Sequence, residues 1–164
     1  MTKNTKVNAA ILIIGNEILS GRTQDTNTST LAIWLNSIGV KVSEVRVIPD
    51  DEKIIVDTLN ILRKENSYVF TTGGIGPTHD DITASSVSKA FNLKYEIHEK
   101  AFKILETYYK PGEFKEGRQK MVWMPKNAEL ILNPTSGAPG FSVNNVFCLP
   151  GVPSILKSML GGLK

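Results

Sequence analysis

The residues whose types and spacing suggest chemistry run from Thr71 to Thr83, as Thr71-Thr72-Gly73-Gly74-Ile75-Gly76-Pro77-Thr78-His79-Asp80-Asp81-Ile82-Thr83. Three glycines within four residues remove Cβ atoms, so the backbone can turn sharply and bring its N–H groups close to a bulky anion. A helix beginning near Thr83 would add unsatisfied N–H groups and its positive dipole end. Together these make a seat for phosphate, with Gly73, Gly74 and Gly76 supplying the amides and Thr72 and Thr78 flanking them. Asp80 and Asp81 would repel that anion unless a cation lies between, and a hard divalent ion such as Mg²⁺ is the usual solution. The same residues also suit a tight turn, with Asp81 or Thr83 as a helix N-cap. The density of Thr, Gly and Asp at one strand end favours the ligand site, because ligands of open α/β sheets bind beyond the carboxyl ends of the strands. No Gly-Lys-Ser/Thr follows, so the loop is not a Walker A motif.

The elements that must position this loop read as alternating strands and helices. Tyr68-Val69-Phe70 is a short buried strand, and Ala84 to Phe91 a helix. Val7 to Ile14 is nearly continuously apolar, as in a strand covered on both faces. Polar groups crowd its exit: Gly15-Asn16-Glu17, then Asp25-Thr26-Asn27. Asp25 or Thr26 can cap a helix whose Leu31, Trp34, Leu35 and Ile38 share one face, ending at Gly39. Lys41 to Ile48 alternates imperfectly as a second strand. Pro49-Asp50-Asp51-Glu52 opens a helix with Ile55, Leu59 and Leu62 inward; spacing alone makes Asp50 its N-cap. Yet Asp50, like Glu17 and Asp81, also stands at a strand's carboxyl end.

Further along, Lys94 to Ile97 is a strand and His98 to Tyr109 a helix, with His98 capping it or exposed at its start. Lys110 to Gly117 is a loop, and Met121 to Pro125 a short helical or extended apolar segment. Leu130 to Leu132 is a strand. Phe141–Val143 and Val146–Leu149 form a hairpin across Asn144-Asn145. A last helix starts at Pro153, with Leu156, Met159, Leu160 and Leu163 on its apolar side. This order predicts right-handed crossovers and a three-layer α/β/α fold with a mainly parallel sheet, plus the short hairpin.

With 164 residues the chain fits one domain, and the abrupt Gly161-Gly162-Leu163-Lys164 suggests one cut from a longer protein. Hydrophobic content of 41% and charged content of 21% are ordinary for a soluble globular protein. The net charge of +3 is slight and its Lys and Arg are scattered, which argues against a nucleic-acid surface. No apolar run approaches the roughly 18 residues of a membrane span. Residues 1 to 6 lead into the first strand without a signal-peptide core. The single Cys148 excludes an internal disulfide, suits a reducing cytoplasm, and lies in an apolar strand where packing is its role.

Four loops match one family in order and spacing. Gly15-Asn16-Glu17-Ile18-Leu19 with Asp25-Thr26-Asn27, the Thr71–Thr83 loop, Asn133 to Phe141 with its Ser-Gly-Ala-Pro-Gly-Phe, and Leu149-Pro150-Gly151-Val152-Pro153 resemble the molybdopterin-binding domain of molybdenum cofactor biosynthesis. Within it they are similar to the amino-terminal domain of the competence/damage-inducible protein CinA and the equivalent domain of eukaryotic FAD synthase. The resemblance covers residues 7 to 160. It implies a site for a phosphorylated, adenylate-like or pterin ligand, adds Asn27, Ser136 and Gly137 to the ligand-binding set, and implies a homodimer or homotrimer. In the adenylyltransferases of this superfamily one acidic residue follows an Ile-Pro pair and another the glycine loop; these match Asp50 and Asp81.

Those enzymes open with a Ser-Asp-Arg type loop where this chain has Gly-Asn-Glu, and Asn16 replaces the Thr of the usual CinA Gly-Thr-Glu. The CinA branch is thereby favoured. The resemblance implies hydrolysis of ADP-ribose-like pyrophosphates, with Asp81 and Asp50 as matched acidic residues; the carboxylates at three strand ends around the glycine loop extend this to FAD-like substrates, add Glu17 as a catalytic residue, and place Asp81, Asp80 and Asp50 around Mg²⁺ or another divalent cation. The alternatives are adenylyl transfer with molybdopterin as ligand, and a non-catalytic ligand-binding domain.

Overall fold

In the computed structural model, which describes residues 7–163, the sheet is built around β1 (Asn8–Ile14), six of whose seven residues are buried. Its side chains alternate between two cores. Ala10, Leu12 and Ile14 meet α3 (Glu52–Glu65), α4 (Thr83–Ala90) and α5 (Glu99–Tyr108), while Ala9, Ile11 and Ile13 meet α2 (Asn27–Ser37) and α7 (Pro153–Leu160). Both faces being covered explains the unbroken apolar run. The six-stranded sheet has the order β2-β1-β3-β8-β7-β6, with β2 (Lys41–Ile48), β3 (Tyr68–Thr72), β6 (Glu129–Ile131), β7 (Gly140–Val143) and β8 (Val146–Leu149). The first four strands in that order are parallel; β8-β7 and β7-β6 are antiparallel. The expected three-layer α/β/α architecture and its hairpin are therefore present. A second, two-stranded antiparallel sheet joins β4 (Tyr95–Ile97) to β5 (Trp123–Pro125). Among the described residues no helix is long and apolar enough to cross a membrane.

Local departures have simple causes. The Gly15–Leu19 stretch, read as a loop, contains the single turn α1 (Asn16–Leu19), and the end of the Lys110–Gly117 loop runs into the single turn α6 (Glu116–Gln119), each too short to show a period. Met121–Pro125 divides into the end of a 3₁₀ turn over Lys120–Val122 and the strand β5. Ile38, expected on the apolar face of its helix, and Leu132, read as the end of a strand, lie beyond the ends of their elements and are 47% and 66% exposed. The cap of α3 is Asp51, whose Oδ1 accepts from Ile54 N, and not Asp50. Asp25 holds the start of α2 by accepting from Asn27 N and Thr28 N. His98 caps α5, with Nδ1 accepting from Ala101 N; Nε2–H is therefore the donor to Ala128 O, at 2.9 Å. Cys148 is fully buried, its thiol pushed up to about 12 by desolvation, so it packs and does not attack. The expectation for residues 1 to 6 lies outside the described residues.

The imperfect alternation of β2 comes from a bulge. Ala9 pairs with Val42 but Ala10 with Glu44, leaving Ser43 extra. Its hydroxyl lies between Ala9 O and Asn66 Oδ1. Asn66, 8% exposed, also accepts from Asn8 Nδ2 at 3.2 Å and donates to Leu62 O at 3.0 Å. One buried amide thus ties β1, the bulge of β2 and the end of α3. Asn66→Ala should lower the unfolding free energy by about 1–3 kcal/mol, since several buried polar groups lose their partner at once. Urea unfolding checks this, and an unchanged midpoint would contradict it.

Candidate functional site

The chain leaves β3 through Gly73 and Gly74, whose φ angles of 94° and 75° lie in the left-handed region. A Cβ on Gly73 would come 2.1 Å from Ile14 O, and one on Gly74 2.0 Å from Thr83 Oγ1. Both glycines are therefore required by close approach as well as by conformation. Thr83, fully buried, fills the space so created. Its N–H donates to Gly74 O and its hydroxyl to Gly73 O, each at 2.9 Å. The first residue of α4 is in this way locked into the loop.

This arrangement corrects the expected phosphate seat. The Gly73 N–H donates to Leu149 O at 3.0 Å and continues the sheet, so it is not available to a ligand. Among the described residues no acceptor takes the N–H of Gly74 or Gly76, and these remain as donors. The N-cap of α4 is Ile82. Asp81 instead braces a tight turn: its Oδ2 accepts from Thr78 N at 2.9 Å and from Thr78 Oγ1 at 2.8 Å. The carboxylate presses so close to Gly76 that a Cβ there would meet it at 2.8 Å.

The exits of β1 and β2 are clasped together beside this loop. Asn16 N–H donates to Asp50 Oδ2 at 3.1 Å, and Asp50 N–H to Asn16 Oδ1 at 3.2 Å. The Asp50 carboxyl is held above its ordinary 3.8, first by partial burial and then by the negative charges of Glu17, Asp81 and Asp80, with the Asn16 bond pulling the other way. Four acids from three strand ends thus share one field. They border a pocket of about 250 Å³ to which Arg22 brings a positive charge. At Glu17, Gly74 and Asp81 this pocket adjoins a cleft of about 490 Å³, walled by Asn133, Ser136, Pro139, the Pro150–Pro153 segment and Ile155. Among the described residues no three His, Cys, Asp or Glu side chains gather closely enough to hold a metal ion by themselves. Asp50, Asp80 and Asp81 fit a cation only if a ligand completes its shell.

Of the residues singled out in the sequence, Glu17, Asp50, Gly74, Thr78, Asp80 and Asp81 meet in the charged pocket, and Gly73, Gly76 and Ser136 line the adjoining cleft. Three do not reach it. Thr72 is 1% exposed within β3. Asn27 is buried, its Nδ2 donating to Gly151 O at 2.9 Å, so it anchors the Pro150–Pro153 wall. Gly137, with φ 82°, sits where a Cβ would lie 2.7 Å from the Tyr108 ring, and its N–H is taken by Asn133 O. None of the three lines the charged pocket or the adjoining cleft.

The sequence reading missed Asn16, Arg22, Lys120 and Asn133. Asn133 organises its loop, accepting from Thr135 N and Ser136 N and donating to Ser136 Oγ and Ala138 O. An Asn before Pro-Thr-Ser is a recognisable Asx-turn signal. Lys120, whose Nζ donates to Thr78 O, comes from 42 residues away with no local signal.

Residues 10–164 match the family described as probable molybdopterin binding domain, and the chain belongs to it. Within it, the chain is similar to the protein CinA of Thermoplasma acidophilum, a solved structure with TM-score 0.88 and 31% identity over 95% of this chain and 96% of that one. A CinA-like protein of Flavobacterium psychrophilum is 37% identical over 93% of this chain, and a relative from Archaeoglobus fulgidus 38% over 90%. The matched region covers 38% and 63% of those two relatives' lengths. The molybdopterin biosynthesis enzyme MoaB of Thermus thermophilus shares the fold, with TM-score 0.64 at 19% identity over 94% of this chain and 87% of that one.

A carboxyl held above its ordinary value binds its proton more tightly in the native than in the unfolded chain. The contribution of Asp50 to stability therefore falls as pH rises through the window just above 3.8, and its cost is fully in force at neutral pH. Asp50→Asn keeps an acceptor for Asn16 N–H and removes that cost. Its melting temperature should equal or exceed the wild type's near neutrality, with any gain vanishing below about pH 3. A variant that melts well below wild type at neutral pH would contradict this electrostatic account.

Proposed function

We propose that this site hydrolyses the diphosphate linkage of an ADP-ribose- or FAD-like nucleotide. The observation that carries the reading is the raised Asp50 carboxyl among Glu17, Asp80 and Asp81, set beside the free Gly74 and Gly76 amides and adjoining the larger cleft. Acids crowded in this way are held apart from neutrality only at a cost, which a phosphate-bound cation would relieve. Asp81, with Asp50 or Asp80, would hold Mg²⁺ or another divalent ion together with phosphate oxygens. Bound there, such an ion supplies Lewis-acid polarisation of a phosphoryl oxygen.

The chain's own residues do the rest. Gly74 and Gly76 amides orient the phosphate and stabilise charge developing on its oxygens. Glu17 or Asp50 accepts a proton from water, the water oxygen bonds to phosphorus, and the bond from phosphorus to the bridging oxygen breaks. The products are two monophosphates. Incubation with ADP-ribose or FAD and Mg²⁺, Mn²⁺ or Co²⁺ should release AMP; no release with any pair would leave a binding domain. The family's description as probable molybdopterin binding supports the ligand of a second reading, adenylyl transfer to molybdopterin in the same cleft, which predicts molybdopterin capture and pyrophosphate release from ATP.

Asp81→Asn separates bracing from chemistry. Asn retains an oxygen that can accept from Thr78 N and Oγ1, so the melting temperature should stay within a few degrees of wild type. Loss of the charge should cost about a hundredfold or more in turnover. A variant that melts and turns over normally would place Asp81 outside the chemistry.

A further inference from the structure

Two cations border the candidate site, and its acids pair with neither. Arg22 lines the pocket that holds Glu17, Asp50, Asp80 and Asp81, yet among the described residues its guanidinium forms no ion pair with any of them. Only its backbone N–H is engaged, donating to Ser20 Oγ at 3.4 Å. Lys120 lines a different recess, together with Gly74, Gly76 and Asp81, and is likewise in no ion pair among the described residues. Thr78 O takes one of the three N–H donors of its ammonium, which leaves two.

The two cations flank a common boundary. Gly74 and Asp81 line both the Arg22 pocket and the Lys120 recess, and both residues also line the larger cleft. Gly76 lines the recess and the cleft but not the Arg22 pocket. A phosphoryl group seated on the unengaged Gly74 and Gly76 amides therefore lies on the Lys120 side. A second group joined to it through one bridging oxygen crosses the Gly74–Asp81 boundary toward Arg22. The chemistry of the two side chains fits this order. An ammonium is a compact point charge suited to one seated anion, whereas a guanidinium offers a planar fork that grips two phosphate oxygens at once. Each added phosphoryl group also brings negative charge into a field that four acids already make negative, so each needs a cation of its own.

We propose that Lys120, with the Gly74 and Gly76 amides, anchors one phosphoryl group and that Arg22 binds the next, which makes Arg22 the residue that selects a diphosphate over a monophosphate. The proposal rests on the nucleotide reading of the site and gives neither residue a part in bond breaking. A monophosphate fills the Lys120 seat and leaves Arg22 in water. A diphosphate engages both.

Calorimetric titration of the full chain in excess Mg²⁺, with AMP and with the methylene-bridged analogue of ADP, tests this by binding alone. The wild type should bind the analogue about tenfold or more tighter than AMP. Arg22→Met should weaken the analogue by about tenfold or more, leave AMP unchanged and so remove the preference. Lys120→Met should weaken both ligands alike by about tenfold or more, and so should Lys120→Gln, which keeps a donor for Thr78 O. Melting curves near the wild type's show that each variant is folded. An Arg22→Met variant that keeps the preference, Lys120 variants that bind both ligands normally, or a wild type that prefers neither ligand or binds neither would overturn the proposal. AMP release from ADP-ribose without this binding pattern would sink the proposal and spare the hydrolytic reading; the pattern without any release would do the reverse.

Discussion

The site depends on one insertion: Thr83 enters the space that the missing Cβ of Gly74 leaves, and bonds to the carbonyls of Gly73 and Gly74. Those bonds fix where α4 begins and hold two consecutive left-handed residues in place. They also occupy the Gly73 and Gly74 carbonyls, while among the described residues no acceptor takes the Gly74 or Gly76 N–H. Glycine adopts this conformation without steric cost but is otherwise free to leave it, so the loop's single shape must come from its surroundings. Here β1 supplies that support through Ile14 O, packed against Gly73, and β8 supplies it through Leu149 O.

Around this fixed loop the electrostatics are unfavourable by construction. Asp50, Glu17, Asp80 and Asp81 come from three strand ends, and the parallel order β2-β1-β3 brings those ends together. Arg22 offsets only part of that charge. Lys120 spends its ammonium on Thr78 O, steadying the turn that Asp81 also braces. The chain thus holds its acids in position without neutralising them, an arrangement suited to a cation that arrives with its phosphate ligand. In such a system cation and nucleotide must each strengthen the other's binding by the same factor.

Much of this was legible in the sequence because it rests on local rules. The apolar run of β1, the glycines at the end of β3, the Gly39 helix stop and the Asn144-Asn145 hairpin all follow from short-range preferences, and Glu17, Asp50 and Asp81 follow from lying at strand ends. What was not legible depends on distance or on adjacent equivalents. Asp50 and Asp51 are indistinguishable as caps until the reciprocal clasp with Asn16 engages one and leaves Ile54 N to the other. Thr72 and Asn27 lie near the site in sequence but are buried in β3 and α2, and Gly137 packs against the Tyr108 ring, placements that composition cannot reveal. Lys120 reaches the site only because the 3₁₀ turn at Lys120–Val122 returns the chain to the glycine loop.

The central claim is that the acids bind a cation only in company with a phosphate ligand. Titration of Mn²⁺ into the protein, followed by its paramagnetic signal with and without AMP, tests that claim most directly. Weak uptake alone and uptake strengthened by about tenfold or more when AMP is present would agree with the account, with AMP affinity raised equally by Mn²⁺. Mn²⁺ affinity that is the same with and without the nucleotide would contradict it.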